Sequence, residues 1–150
     1  YPASTHKEAF EYAHRNFLKR TVHAGEAYGP ESIFQAITDL HADRIGHGIL
    51  AAKDEETMRA LRETETVLEV CPSSNLLTGA LADEGELRET IRTFTERGVA
   101  FTIATDGPEM MQTHLRDELA LLLRIGALEP DEADAVNARG HASAFVRQRR

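Results

Sequence analysis

Val99-Ala100-Phe101-Thr102-Ile103-Ala104 runs directly into Thr105-Asp106-Gly107-Pro108, and this junction decides the fold. The first six residues are the most apolar stretch of the chain and read as a buried strand. The next four break it: Asp and Gly favour a turn, and Pro suits the first turn of a helix. A long helix is expected next, with Leu115, Leu119, Leu122 and Leu123 on its inner face and Gly126 at its end. Pro130 opens another helix, and residues 142–146 are expected to form a short final one.

The same junction recurs upstream. Residues 20–22 form a short strand ending at His23, and Pro30 then opens a helix with Ile33, Ala36, Ile37 and Leu40 on one face. Residues 44–46 form a strand reaching His47, with a helix over 54–63. Residues 67–70 form a strand stopped by Pro72, which has no N–H to give a ladder. The helix beyond it carries Leu87, Ile91 and Phe94 and ends at Gly98. At the start, Thr5-His6-Lys7-Glu8 reads as a capping box for a helix reaching about Leu18. The order α-β-α-β-α-β-α-β-α-α predicts an α/β fold of parallel (β/α) units with right-handed crossovers. No linker or second domain is visible, so residues 1–150 read as one domain.

The polar residues fall in phase with the strands. His23, His47, the Cys71-Pro72-Ser73-Ser74-Asn75 cluster and Asp106 each follow a strand directly. Parallel strands align these positions on one rim, where such folds build their sites. Each has a bland reading alone: His23 as a hydrogen-bonded strand end, Glu26 as a helix-entry carboxylate, Asp106 as a turn residue. Gly48 reads as a positive-φ turn, or as room for a ligand. Together they suit a metal hydrolase, because zinc takes neutral imidazole and carboxylate ligands and leaves one position open.

Composition narrows the classes. Among 150 residues 41% are hydrophobic, 28% charged and none is Trp, as expected of a globular chain whose core rests on Leu, Ile, Val and Ala. A net charge of −8 disfavours nucleic-acid phosphates, and the basic Arg147-Gln148-Arg149-Arg150 is expected to be a solvated tail. The lone Cys71 excludes an internal disulfide and is expected to be a buried structural thiol in a cytoplasmic protein. No apolar run is long enough to span a bilayer, and no signal peptide is expected. The chain opens on Tyr1 rather than Met, so it is expected to be a piece of a longer one.

His23-Ala24-Gly25-Glu26, Arg44-Ile45-Gly46-His47-Gly48, Cys71-Pro72-Ser73-Ser74-Asn75 with Leu77-Thr78-Gly79, and Thr105-Asp106 resemble, in order and spacing, the successive motifs of the adenosine deaminase family. The resemblance runs from about Phe10 to Phe145. It implies strands five to eight of a zinc-dependent TIM-type barrel, an incomplete barrel on its own. It further implies His23 and Asp106 as zinc ligands, with Asp106 also contacting the attacking water. Glu26 would be proton donor to the purine ring nitrogen beside the attacked carbon, and His47 the group that orients the water. The reaction implied is hydrolytic deamination of adenosine or a related 6-aminopurine nucleoside, with Gly25, Gly107 and Glu109 at the substrate. Two departures stand out. The family's first-strand His-x-His is absent, and Gly107 occupies the place of a second Asp that binds the purine's imidazole ring, so that purine recognition is expected either to be altered or to pass to Glu109. A different class of function follows from the missing strands: a non-catalytic half-barrel that closes its open edges on a second copy or a partner.

Overall fold

The computed structural model describes residues 3–146. The basic tail at 147–150 lies outside the described residues. Four strands, β1 (Thr21–Ala24), β2 (Arg44–His47), β3 (Val67–Val70) and β4 (Phe101–Ile103), form one sheet in the order β1-β2-β3-β4. All three pairings are parallel. Eight α-helices alternate with them among the described residues: α1 (Lys7–Arg15), α2 (Pro30–Thr38), α3 (Glu55–Glu63), α4 (Pro72–Leu77), α5 (Glu84–Arg97), α6 (Pro108–Met111), α7 (Leu115–Arg124) and α8 (Pro130–Ala142). No described helix is long and apolar enough to cross a membrane.

Helix ends follow local chemistry. Asp54 caps α3 by accepting from Thr57 N at 2.9 Å, and Asp83 caps α5 by accepting from Glu86 N at 2.9 Å. Gly98 closes α5 in the left-handed region at φ 67°. One face of the sheet carries Val22, Ile45, Leu68 and Phe101 in register, joined by Val70 and Ile103, and it packs under the helices. Phe94 of α5 meets Phe101 with ring centroids 6.0 Å apart. The opposite face is polar. It carries Thr21, His23, Arg44, Glu69 and Thr102, and Thr21 Oγ1 donates to Glu69 Oε2 at 2.7 Å while Arg44 pairs with Glu69 at 3.3 Å. A sheet curled toward a barrel keeps such a face for its interior.

Several expectations shift. The first helix ends at Arg15, not Leu18, because Phe17 takes the left-handed conformation at φ 57°. The expected Thr5 capping box is replaced by a 3-10 turn over Ala3–His6, with His6 at the N-cap and no side-chain cap bond from it. No separate helix forms over 142–146: α8 runs on to Ala142, and Arg44 then stacks on Phe145, 3.7 Å from its ring centroid. Of the four leucines expected on the inner face of α7, only Leu122 is fully buried, while Leu115 and Leu123 are 42% and 41% exposed. Met110, in the short α6, is 81% exposed. Beside β4, Arg139 Nη1 of α8 donates to Phe101 O at 3.1 Å.

Candidate active site

All four strands deliver their polar residues to the same end. His23 lies in β1, His47 closes β2, Ser74 and Asn75 lie in the first turns of α4 just past β3, and Asp106 follows β4. The structure brings His23, His47 and Asp106 together: each offers one ligand atom, and these atoms all lie within 4.8 Å of one another. The two imidazoles stand 5.2 Å apart, centroid to centroid. His47 is buried, whereas His23 and Asp106 are exposed on the open inner face.

The backbone is bent to achieve this. His47 and Asp106 both sit in the left-handed region, at φ 61° and 58°, which costs a residue with a Cβ about 1–2 kcal/mol. Such strain gathers at functional sites. Gly46 has a steric task that the sequence did not disclose. A Cβ built there would lie 3.0 Å from His23 Cγ, so any larger residue would press on the imidazole and push it by a few tenths of an ångström.

Glu26 reaches the cluster from the loop after β1. Its Oε2 lies 3.5 Å from His47 Nε2. Asn75 Nδ2 and Thr78 Oγ1 each lie 3.4 Å from its Oε1. Asn75 Nδ2 also sits 2.9 Å from His47 Nδ1, and Ser74 Oγ donates to Asp106 Oδ2 at 2.8 Å. The post-strand cluster recognised in the sequence is thus a short helix that grips three of the four ionisable site residues.

That helix is held from behind by Glu118 of α7, which is fully buried. Its carboxyl accepts from Ser73 N at 2.9 Å and from Thr113 Oγ1 at 2.8 Å. Cys71 is buried at the same junction, and burial, reinforced by the nearby Asp106 and Glu118 carboxyls, pushes its thiol up to about 12. The raised value keeps the thiol protonated at every pH below that range, and thiolate is the reactive form. An alkylating probe at pH 8 is therefore expected to leave Cys71 unlabelled in the native protein and to label it fully in denaturant, a contrast that mass spectrometry reads directly.

The residues expected at the substrate are more dispersed. Gly25 is buried at φ 67°, and a Cβ there would meet Ile33 Cδ1 at 2.3 Å and Gly48 Cα at 3.3 Å, so its conformation and packing demand glycine. Its backbone lines a groove of about 760 Å³ beside β1, shared with His23, Glu26 and Tyr28. Gly107 is not sterically required: its φ is −104° and a Cβ would meet only Met110 Cβ at 3.7 Å. Glu109 stands exposed in the first turn of α6, and no hydrogen bond or ion pair joins it to the cluster among the described residues.

The donor set of the cluster, imidazole nitrogen and carboxylate oxygen within reach of one point, fits a zinc ion in kind. Parallel strands that carry such donors to their C-terminal rim place the molecule among the (β/α)-barrel proteins with an active-site rim. The profile of the family described as Adenosine deaminase matches residues 2–150, and the chain belongs to that family. It is 40% identical to an adenosine deaminase of Haemophilus ducreyi over 93% of this chain and 40% of that protein. It is also 40% identical to an aminodeoxyfutalosine deaminase of Streptomyces avermitilis, over 87% of this chain and 36% of the relative. The solved adenine deaminase of Arthrobacter aurescens superposes with a TM-score of 0.87 at 25% identity, covering 97% of this chain and 44% of its own. The chain thus spans about two-fifths of the length of these relatives.

Proposed function

We propose that this chain is the C-terminal half of a barrel whose whole protein hydrolytically deaminates a 6-aminopurine nucleoside, adenosine or a close analogue. The observation that carries this reading is the convergence of His23, His47 and Asp106 within 4.8 Å, with Glu26 set against His47. His23 and Asp106 would hold a zinc ion together with residues from the rest of the barrel. The chemistry zinc supplies at such a site is ionisation of a water near neutral pH. Asp106, steadied by Ser74, and His47 orient that water toward the amino-bearing carbon. Glu26 holds the proton for the ring nitrogen beside that carbon, so that the amine leaves as ammonia and the 6-oxo product remains. A soluble nucleoside substrate and a single unbridged cysteine support a cytoplasmic location. The test is loss of adenosine absorbance on incubation with the full-length parent. Turnover at rates indistinguishable from the uncatalysed control, with the aminodeoxynucleoside analogues of adenosine equally inert, would reject the activity.

Gly107 bears on which nucleoside is preferred. The space around it admits a side chain, since the nearest atom to an added Cβ is 3.7 Å away. Gly107→Asp would add a carboxyl whose protonated form can donate a hydrogen bond to N7 of the base, a contact worth about 0.5–1.5 kcal/mol. A fall of roughly two- to tenfold in KM for adenosine is expected, with kcat little changed. An unchanged or higher KM would show that the base is not read from this position.

A further inference from the structure

We propose that Asn75 is a positioning residue that fixes which nitrogen of His47 and which oxygen of Glu26 face the reaction, an inference that rests on the deaminase reading of the same site. Asn75 is wholly buried, at 0% exposure, and its amide stands against both groups at once. Nδ2 lies 3.4 Å from Glu26 Oε1 and 2.9 Å from His47 Nδ1. An Asn amide nitrogen carries two hydrogens and accepts nothing, whereas a carboxylate only accepts. With Glu26 ionised, turning the amide over would place Oδ1 against Glu26 Oε1, two acceptors face to face. The orientation with Nδ2 toward Glu26 therefore stands, and one hydrogen goes to each neighbour. His47 Nδ1 must then be the bare, accepting nitrogen, and the ring proton sits on Nε2.

Two consequences follow for the cluster. A neutral His47 with its proton on Nε2 presents a donor, not a lone pair, at the nitrogen 3.5 Å from Glu26 Oε2. It therefore orients an oxygen rather than serving as a third ligand beside His23 and Asp106. Glu26 Oε1 accepts from both Asn75 Nδ2 and Thr78 Oγ1, so it is the carbonyl oxygen whenever the acid is protonated. The proton is thereby assigned to Oε2, the oxygen 3.5 Å from His47 Nε2. One amide on α4 sets both proton positions. Asn75 Oδ1 is buried with no hydrogen-bond partner among the described residues, as expected of a side chain placed for its Nδ2 contacts and not for its own saturation.

The test is the ¹⁵N spectrum of histidine-labelled full-length protein, with the His47 resonances identified by their loss in His47→Gln, read beside adenosine kinetics. The wild type is expected to show His47 protonated at Nε2 and bare at Nδ1. Asn75→Asp, which offers only acceptors, should draw a proton to Nδ1 and lower kcat by about 100-fold with KM changed less than about threefold. Asn75→Ala, which adds no charge to the core, should leave Nδ1 unheld and give mixed tautomers. A wild-type His47 with its proton on Nδ1 overturns the proposal, as does a tautomer unchanged in both folded variants. A wild type that shows the Nε2 proton yet fails to turn over adenosine supports the positioning role and removes the substrate reading instead.

Discussion

Replacing Glu26 by glutamine in the full-length protein is expected to cut kcat on adenosine by about 10²–10⁴-fold, the usual weight of a positioned acid or base. Gln has the same shape but no acidic proton. Its amide oxygen can keep the place of Oε1, receiving Asn75 Nδ2 and Thr78 Oγ1, so the local network survives and the loss falls on chemistry. Thermal melting should stay within a few degrees of wild type, and KM should move far less than kcat. A Glu26→Gln enzyme within threefold of wild type would remove Glu26 from proton transfer.

The largest effect on stability is expected at a residue that touches no substrate. Glu118→Ala would strip the partner from Ser73 N and Thr113 Oγ1 at a position with no solvent access, and would leave a void. A buried donor left unpaired costs about 1–3 kcal/mol, and the void adds to that. Denaturant unfolding should register a loss of about 2–4 kcal/mol. Glu118→Gln should lose under about 1 kcal/mol, because its amide oxygen still accepts from Ser73 N while the Thr113 hydroxyl turns to accept. Since α4 also carries Ser74 and Asn75, the Ala variant should lose activity even where it remains folded. Equal stability of wild type and Glu118→Ala would show that α4 is held by other contacts.

The strand ends were legible because each short strand runs to a polar residue and is followed by turn and helix signals. His23, His47 and Asp106 fall at the same phase of that repeating unit, and parallel topology does the rest. The partners behind the site were not legible in the same way. Ser73-Ser74-Asn75 has modest helix propensity, and the short helix it forms behind Pro72 packs against α5, α6 and α7. Glu118 looks like one more surface carboxylate, although its place four residues before Leu122 puts it on the buried stripe of α7, a signal present in the sequence. Leu115 and Leu123 obey the helical period but fall at the margins of that stripe, where periodicity alone does not separate buried from half-exposed. The room Gly46 leaves for His23 depends on strand register, which no local pattern encodes.

Zinc affinity of the full-length protein, measured by equilibrium dialysis for wild type, His23→Ala and Asp106→Ala, probes the convergence of strand ends most directly. One zinc per protein is expected for the wild type, with affinity lower by at least about 100-fold in each variant, since ligands weigh more than the groups behind them. Wild-type zinc affinity in both variants would contradict a shared site at the ends of β1 and β4.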